Sequence, residues 1–341
     1  MDTFHNILLE HIGRFFNEKP DLAGDADIEK SINDLIPKMA ITVKKSLVGS
    51  VNAMLREHRS LSDKFVERNI SRWAEAFDLL ETLIVICTES GEEFNSSYRP
   101  QAASEDDLVF DLVVRHHARA CHIANEILCL LKNGFADAAH ARWRALHEVT
   151  ATAMFIAKHG KECAERFYYH EVVDSYDGML EHKKYEHRLQ EEGPTVEEIA
   201  ECKVQFDLLI QKYGKKFAGH YGWASYVFPD HTRVGFGAIE KDVQLEHMRP
   251  YYKWASQNIH TGSKAMRNRL GLCETDEDIL LVGQSNSGMT DPAHATAISL
   301  MQATVTLLCL KPTIDHIVIS KIIQDYSDEV GNIFLKIDND N

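Results

Sequence analysis

Long apolar runs are missing from this 341-residue sequence. The stretch from Leu79 to Cys87 is interrupted by Glu81 and is far shorter than the roughly 18 residues that a membrane span needs. The first residues carry acidic Asp2 where a secretory leader has positive charge, and they alternate apolar with polar side chains. We therefore expect a cytoplasmic protein without a membrane partner.

Motifs that would indicate a cofactor-binding site or a catalytic nucleophile are also missing. The seven cysteines are an odd number, and none stands in a C-x-x-C pair, which argues against a disulfide framework. No G-x-x-x-x-G-K-[ST] or G-x-G-x-x-G loop occurs, and no G-x-S-x-G marks a serine hydrolase. We expect no cofactor.

Positive charge is scarce as well. There are 37 basic residues against 52 acidic ones, which gives a formal net charge of -15. Such a charge disfavours nonspecific attraction to the phosphates of nucleic acids and anionic lipids. RNA is therefore expected as a partner only if the protein is a ribonuclease.

The sequence has only eight prolines, and apolar residues recur at spacings of three and four along most of it. This pattern predicts an all-α fold, a multi-helix bundle with long antiparallel helices and one irregular aromatic and glycine-rich region at 214–238. The polar stretch 88–107 has the composition of a linker. We therefore predict an N-terminal helical region over 1–100, which docks or dimerises through its apolar face, and a helical core domain over 101–341 that holds a polar cluster.

A helical hairpin from about Leu108 to Phe155 is the most informative segment. One apolar stripe ends at Asn133-Gly134 and a second begins at once, so the two helices must pack antiparallel, with residues whose numbers sum to about 268 opposite one another. Polar stripes at helical spacing follow both helices: Arg115, Arg119, His122 and Glu126 on the first, and His140, Arg144, His147 and Glu148 on the second. Charged stripes are more often solvated or merely paired than functional. The functional interpretation is a buried binding or catalytic cluster.

A second motif lies downstream. Tyr252, Ser256 and His260 are spaced four residues apart, which would place a hydroxyl and an imidazole within hydrogen-bonding reach on one helix face. The simpler interpretation is that these side chains pack in the core with their polar groups hydrogen-bonded. A binding site that includes Ser256 and His260 is the alternative.

These segments resemble a known family. The residues that carry the resemblance are Leu130-Leu131-x-x-Gly134, Ala138-Ala139, Arg144-x-x-x-Glu148, Arg166-Phe167 and Tyr252-x-x-x-Ser256-x-x-x-His260-x-x-Ser263. They look like those of a bacterial domain-of-unknown-function family of helical proteins, family 5677, over roughly residues 105–310. The resemblance implies an all-helical fold with a polar interior built from Arg144, Glu148 and His260. It implies no established activity.

Two enzymatic functions compete with a non-enzymatic one. The spacing Arg142-x-x-x-x-His147 fits a metal-independent ribonuclease of the HEPN kind, in which Arg142 would bind phosphate and His147 would transfer the proton as catalytic residues. The histidines of the hairpin suggest a metal-dependent hydrolase, although no H-E-x-x-H motif is present and no metal is expected.

The favoured hypothesis is a module that binds a ligand or protein partner and acts as an effector in stress or phage defence. It requires only the polar cluster and no catalytic signature. A homodimer is one assembly that would bury the N-terminal apolar face.

Overall fold

The computed structural model describes Glu10, Gly13, Arg14, Asn17 and residues 25–260, 262–264, 269–272 and 280–340. Within these residues every regular element is helical and no strand occurs, which confirms the predicted all-α bundle. The chain divides into two compact units, residues 1–65 and residues 66–341. None of the helices in the described ranges combines the length and apolarity that a bilayer crossing requires.

The long helices are α1 (Asp25–Arg72), α2 (Ala74–Ser104), α3 (Leu108–Lys132), α4 (Ala136–Tyr169), α5 (Glu171–Leu189) and α6 (Val196–Tyr213). After three-residue and four-residue 3-10 turns come α7 (Phe236–Asp242) and α8 (Arg249–Gln257), and the chain ends with α9 (Thr290–Leu308) and α10 (Ile314–Asn339). The irregular region predicted at 214–238 therefore consists of short turns and the start of α7.

The stretch predicted as a linker is helical instead, since α2 continues to Ser104. Its glycine, Gly91, is buried because the ring of His117 on α3 occupies the space that a larger side chain would need. Phe94, one turn further on, is also buried. Tertiary packing thus overrides a loop-like composition. The predicted division into an N-terminal helical region, 1–100, and a core domain, 101–341, stays a prediction; the boundary between the compact units of the structure falls between residues 65 and 66.

The predicted hairpin forms the centre of the second unit. Gly134 has the positive φ, 80°, that ends α3, and α4 starts two residues later. The guanidinium of Arg142 donates to the carboxylate of Glu126, which confirms the predicted antiparallel register. Helix α9 packs against α3 and α4, and its Ser299 accepts a hydrogen bond of 3.0 Å from the buried indole of Trp143. Helices α2 and α10 complete this layer.

Candidate functional site

The polar stripe on α3 lies on the outer surface. Arg115 is 71% exposed and pairs with Asp111 at 2.7 Å, and Arg119 is also exposed. His122 approaches Glu126 at 3.2 Å with most of its ring in solvent. Glu126 shares its carboxylate with Arg142. This stripe therefore fits the solvated, paired arrangement that is common for charged helix faces.

The stripe on α4 points into the protein. His140 and His147 are fully buried, and Arg144 and Glu148 are half-buried. Helix α8 packs against this side of α4 in the opposite direction, since Asn258 donates to the backbone carbonyl of Asp137. We call this contact the α4–α8 seam. Its members are His140, Arg144, His147 and Glu148 of α4 with Tyr252, Trp254 and Gln257 of α8.

A chain of buried polar contacts begins at His147. Its Nε2 lies 3.0 Å from Oε1 of Glu240 on α7, and neither side chain is exposed to solvent. The other oxygen of Glu240 accepts from Arg249 at the start of α8. A buried carboxylate must be paired in this way, because an isolated charge would lose its hydration without compensation.

Arg144, Glu148 and Tyr252 form a second set of contacts. Arg144 pairs with Glu148 at 3.0 Å, and the hydroxyl of Tyr252 donates to the same carboxylate. The guanidinium carbons of Arg144 and Arg249 lie 4.8 Å and 5.0 Å from the centre of the Tyr252 ring, within the range of cation–π contacts. Burial and the hydrogen bond to Glu148 raise the pKa of Tyr252 well above its ordinary value. Its hydroxyl is therefore held as a neutral donor.

Tyr221 lies beside these charges and also lines a groove of about 640 Å³. Burial, and secondarily the negative charge of Glu148, raises the pKa of Tyr221 to about 12. Lys215, Arg233, Asp174 and Asp177 line the groove at its exposed side. The groove is thus a polar depression next to the buried cluster.

The predicted partners Ser256 and His260 do not join the cluster. Helix α8 ends at Gln257, so His260 lies beyond it and is exposed. The hydroxyl of Ser256 donates to the backbone carbonyl of Tyr252 at 2.7 Å, a bond internal to the helix. The backbone N–H of His260 still donates to the carbonyl of Ser256 at 3.1 Å, but the imidazole is exposed and the hydroxyl bonds within the helix, so neither side chain reaches the cluster.

Arg142 and His147 point into separate environments. Arg142 pairs with Glu126 on the side of α3, whereas His147 is enclosed by Trp143, Phe236 and Tyr252. The contacts of the two side chains therefore do not bring the guanidinium and the imidazole to a common phosphate. The geometry counts against the ribonuclease alternative.

The metal alternative also lacks support from the geometry. Throughout the hairpin and the rest of the described chain, His, Cys, Asp and Glu side chains do not gather in groups of three that could hold an ion. His117 instead bonds to the hydroxyl of Thr304 at 3.0 Å, and His116 to the carbonyl of Leu112. These histidines serve the packing of α3.

Buried polar atoms without partners are concentrated in the α4–α8 seam. They are both ring nitrogens of His140, Nε of Arg144, Nδ1 of His147 and Oε1 of Gln257. Trp143 and Trp254 lie 5.6 Å and 5.1 Å from the His140 ring, centre to centre, and burial lowers the pKa of His140 to about 4. Buried polar groups are nearly always satisfied, so such a concentration calls for a bound molecule or ordered water.

Sequence reasoning identified Arg144, His147 and Glu148 but missed Glu240, Arg249 and Trp254. Glu240 could have been found as a carboxylate directly after buried Ile239 and three residues before buried Val243, at the spacing of a buried helix face. No pattern near Arg249 indicates that it reaches Glu240.

Comparison with known proteins places one match over this region. Residues 110–278 match a family described as a family of unknown function (DUF5677). No curated protein and no solved structure gives a significant match to the chain. The matched segment contains the hairpin except for its first two residues, together with α7 and α8, and it includes all the residues of the α4–α8 seam.

Proposed function

Through residues 110–278 the chain belongs to DUF5677, a family of unknown function, and we propose that it is a binding module whose ligand occupies the α4–α8 seam. The five unpartnered buried atoms of the seam carry this proposal. A second, smaller group of such atoms, on Arg166, Tyr213 and Tyr226, lies outside the seam, whereas the seam holds five of them, four on one face of α4 and one at the end of α8.

The charges of the seam favour an uncharged ligand. Arg144 is neutralised by Glu148 and Arg249 by Glu240, so the cluster offers no free cation for a strong anion. The groups left to bind a ligand are one hydrogen-bond donor, Nε of Arg144, and one acceptor, Oε1 of Gln257. The free ring nitrogens of His140 and His147 add to these, since a neutral imidazole can donate from one nitrogen and accept at the other. A small polar molecule that presents both donors and acceptors complements this set.

The aromatic surroundings further favour a planar ligand. The His140 ring stacks on Trp143 at an interplanar angle of 18° and meets Trp254 edge-on at 82°. Flat rings with amide-like edges, such as free nucleobases or nicotinamide, combine the hydrogen-bonding and stacking properties that the seam can satisfy.

The experiment measures binding of a defined panel to the full chain: uracil, cytosine, adenine, nicotinamide and urea. Thermal unfolding selects compounds that raise the melting temperature, and calorimetry then gives their affinity. His140→Phe should abolish binding while the unliganded protein stays folded, since the change replaces an unsatisfied ring by an apolar one of similar size. Lys203→Ala, an exposed change on α6, is the matched control.

The proposal fails if no compound raises the melting temperature of the wild type more than it raises that of His140→Phe. The seam would then hold only water. The role as an effector in stress or phage defence stays a hypothesis. Overexpression of the wild type beside Arg144→Ala and His147→Ala tests it through growth and RNA integrity.

A further inference from the structure

A second surface of interest lies on α1, within the unit formed by residues 1–65. Leu47, Met54 and Leu61 are spaced seven residues apart, and they are 58%, 45% and 59% exposed. Large apolar side chains are common on surfaces one at a time, but a regular row along one helix face needs a partner.

The residues between them complete a heptad pattern. Val51, His58 and Phe65 alternate with the first three at spacings of four and three, so the six side chains occupy the d and a positions of a coiled coil. Five of the six are apolar. We call these six residues the α1 seam. Leucine or methionine fills every d position, and the pattern stops at Lys44 on one side and Arg68 on the other.

We propose that the α1 seam is covered by the α1 seam of a second copy of this chain. A heptad seam of 3.5-residue period fits only another helix, because the two helices must supercoil to keep the row in contact.

The flanking charges favour self-association over a strongly charged partner. The g positions beside the seam hold Ser50, Glu57 and Lys64, and the e positions hold Val48, Leu55 and Ser62. Glu57 and Lys64 have opposite charges, so a second copy of the helix meets no row of like charge. A strongly acidic or basic helix would find no row of opposite charge to pair with. Val48, which is 63% exposed, widens the apolar face.

The length of the seam sets the strength of the dimer. Nineteen residues from Leu47 to Phe65 correspond to about 28 Å of helix. Such a contact is smaller than a standard interface, which buries roughly 800 Å² on each partner. The dimer should therefore dissociate on dilution.

Sedimentation equilibrium of the full chain over a hundredfold range of concentration tests this proposal. The wild type should approach twice the monomer mass at high concentration, and Leu47→Lys combined with Leu61→Lys should stay monomeric throughout. The matched control is Ile317→Lys combined with Val318→Lys on α10, which changes two similarly exposed residues and should leave the dimer intact. Circular dichroism checks that each variant keeps its helix content.

Hydrogen exchange of the wild type gives an independent readout, since amides of 47–65 should be better protected at high concentration. A wild type that is monomeric at every concentration overturns the proposal and leaves residues 1–24 or another protein as the occupant. A double Leu variant that still dimerises, with unchanged protection of 47–65, also overturns it. These results do not depend on ligand binding at the α4–α8 seam.

Discussion

The two helices of the hairpin carry polar stripes of nearly the same spacing in opposite environments. On α3 the charged side chains are solvated and share partners across the surface. On α4 the corresponding stripe is enclosed by α7 and α8, which supply Glu240, Arg249 and Tyr252. The same residue types therefore stand in different electrostatic environments, because burial changes the free energy of a charge far more than spacing does.

Variants of the α3 stripe and of the α4 stripe with its partners test this comparison. All four tryptophans lie in residues 66–341, so urea unfolding followed by their fluorescence reports on this unit. The expected effects decrease from the buried contacts of α4 to the exposed ones of α3.

Glu240→Ala should have the largest effect. It leaves the guanidinium of Arg249 and the buried ring of His147 without their shared partner. Breaking a buried ionic contact from one side costs about 3–5 kcal/mol. A lower urea midpoint with an unchanged slope would support this value, whereas a loss under 1 kcal/mol would show that the contact contributes little net stability.

Acidification should have the next largest effect. Burial lowers the pKa of His140 to about 4, although Asp137 partly opposes this, while the unfolded value is 6.5. The unfolded chain therefore binds more protons between these values, so stability is full above pH 6.5 and falls as the pH drops towards 4. The shift corresponds to about 3 kcal/mol for this group.

His140→Phe should remove that share of the pH dependence, as measured by urea midpoints between pH 7 and pH 4. Burial lowers the pKa of His117 to about 4 as well, so a part of the dependence should remain in the variant. Identical pH profiles of the variant and the wild type would contradict the assignment.

Tyr252→Phe should have a moderate effect. It removes the hydroxyl that donates to Glu148 but keeps the ring under Arg144 and Arg249. A hydrogen bond to a charged group contributes about 1.5–3 kcal/mol. Arg144 still pairs with Glu148, so the lower half of this range is expected. A double-mutant cycle with Glu148→Gln would isolate the contact.

Glu126→Ala should have the smallest effect. Its partners Arg142 and His122 regain water when the carboxylate is removed, so the loss should be about 0–1 kcal/mol. Added salt should reduce even this difference. A loss as large as that of Glu240→Ala would abolish the contrast between the two stripes.

Much of the local structure followed from the sequence. Asn133-Gly134 fixed the end of α3, and the short connection fixed the register that joins Glu126 to Arg142. At the start of α6, Thr195 and Glu198, three residues apart, form a capping box. These features depend on contacts between residues close in the chain.

The predictions for longer-range features were less accurate. Gly91 and its polar neighbours predicted a linker but lie in α2, because the ring of His117 packs against the glycine. The position of His260 also depended on a helix continuing past Gln257, which it does not.

The sequence by itself determined that the protein is helical, where the hairpin turns, and which residues share a helix face, since helical period and turn chemistry are local properties. Only the tertiary structure decided that the α4 stripe is inside and the α3 stripe outside. The reason is that Glu240, Arg249 and Tyr252 lie about a hundred residues further along the chain, and their pairing with α4 is fixed by packing that no local pattern encodes.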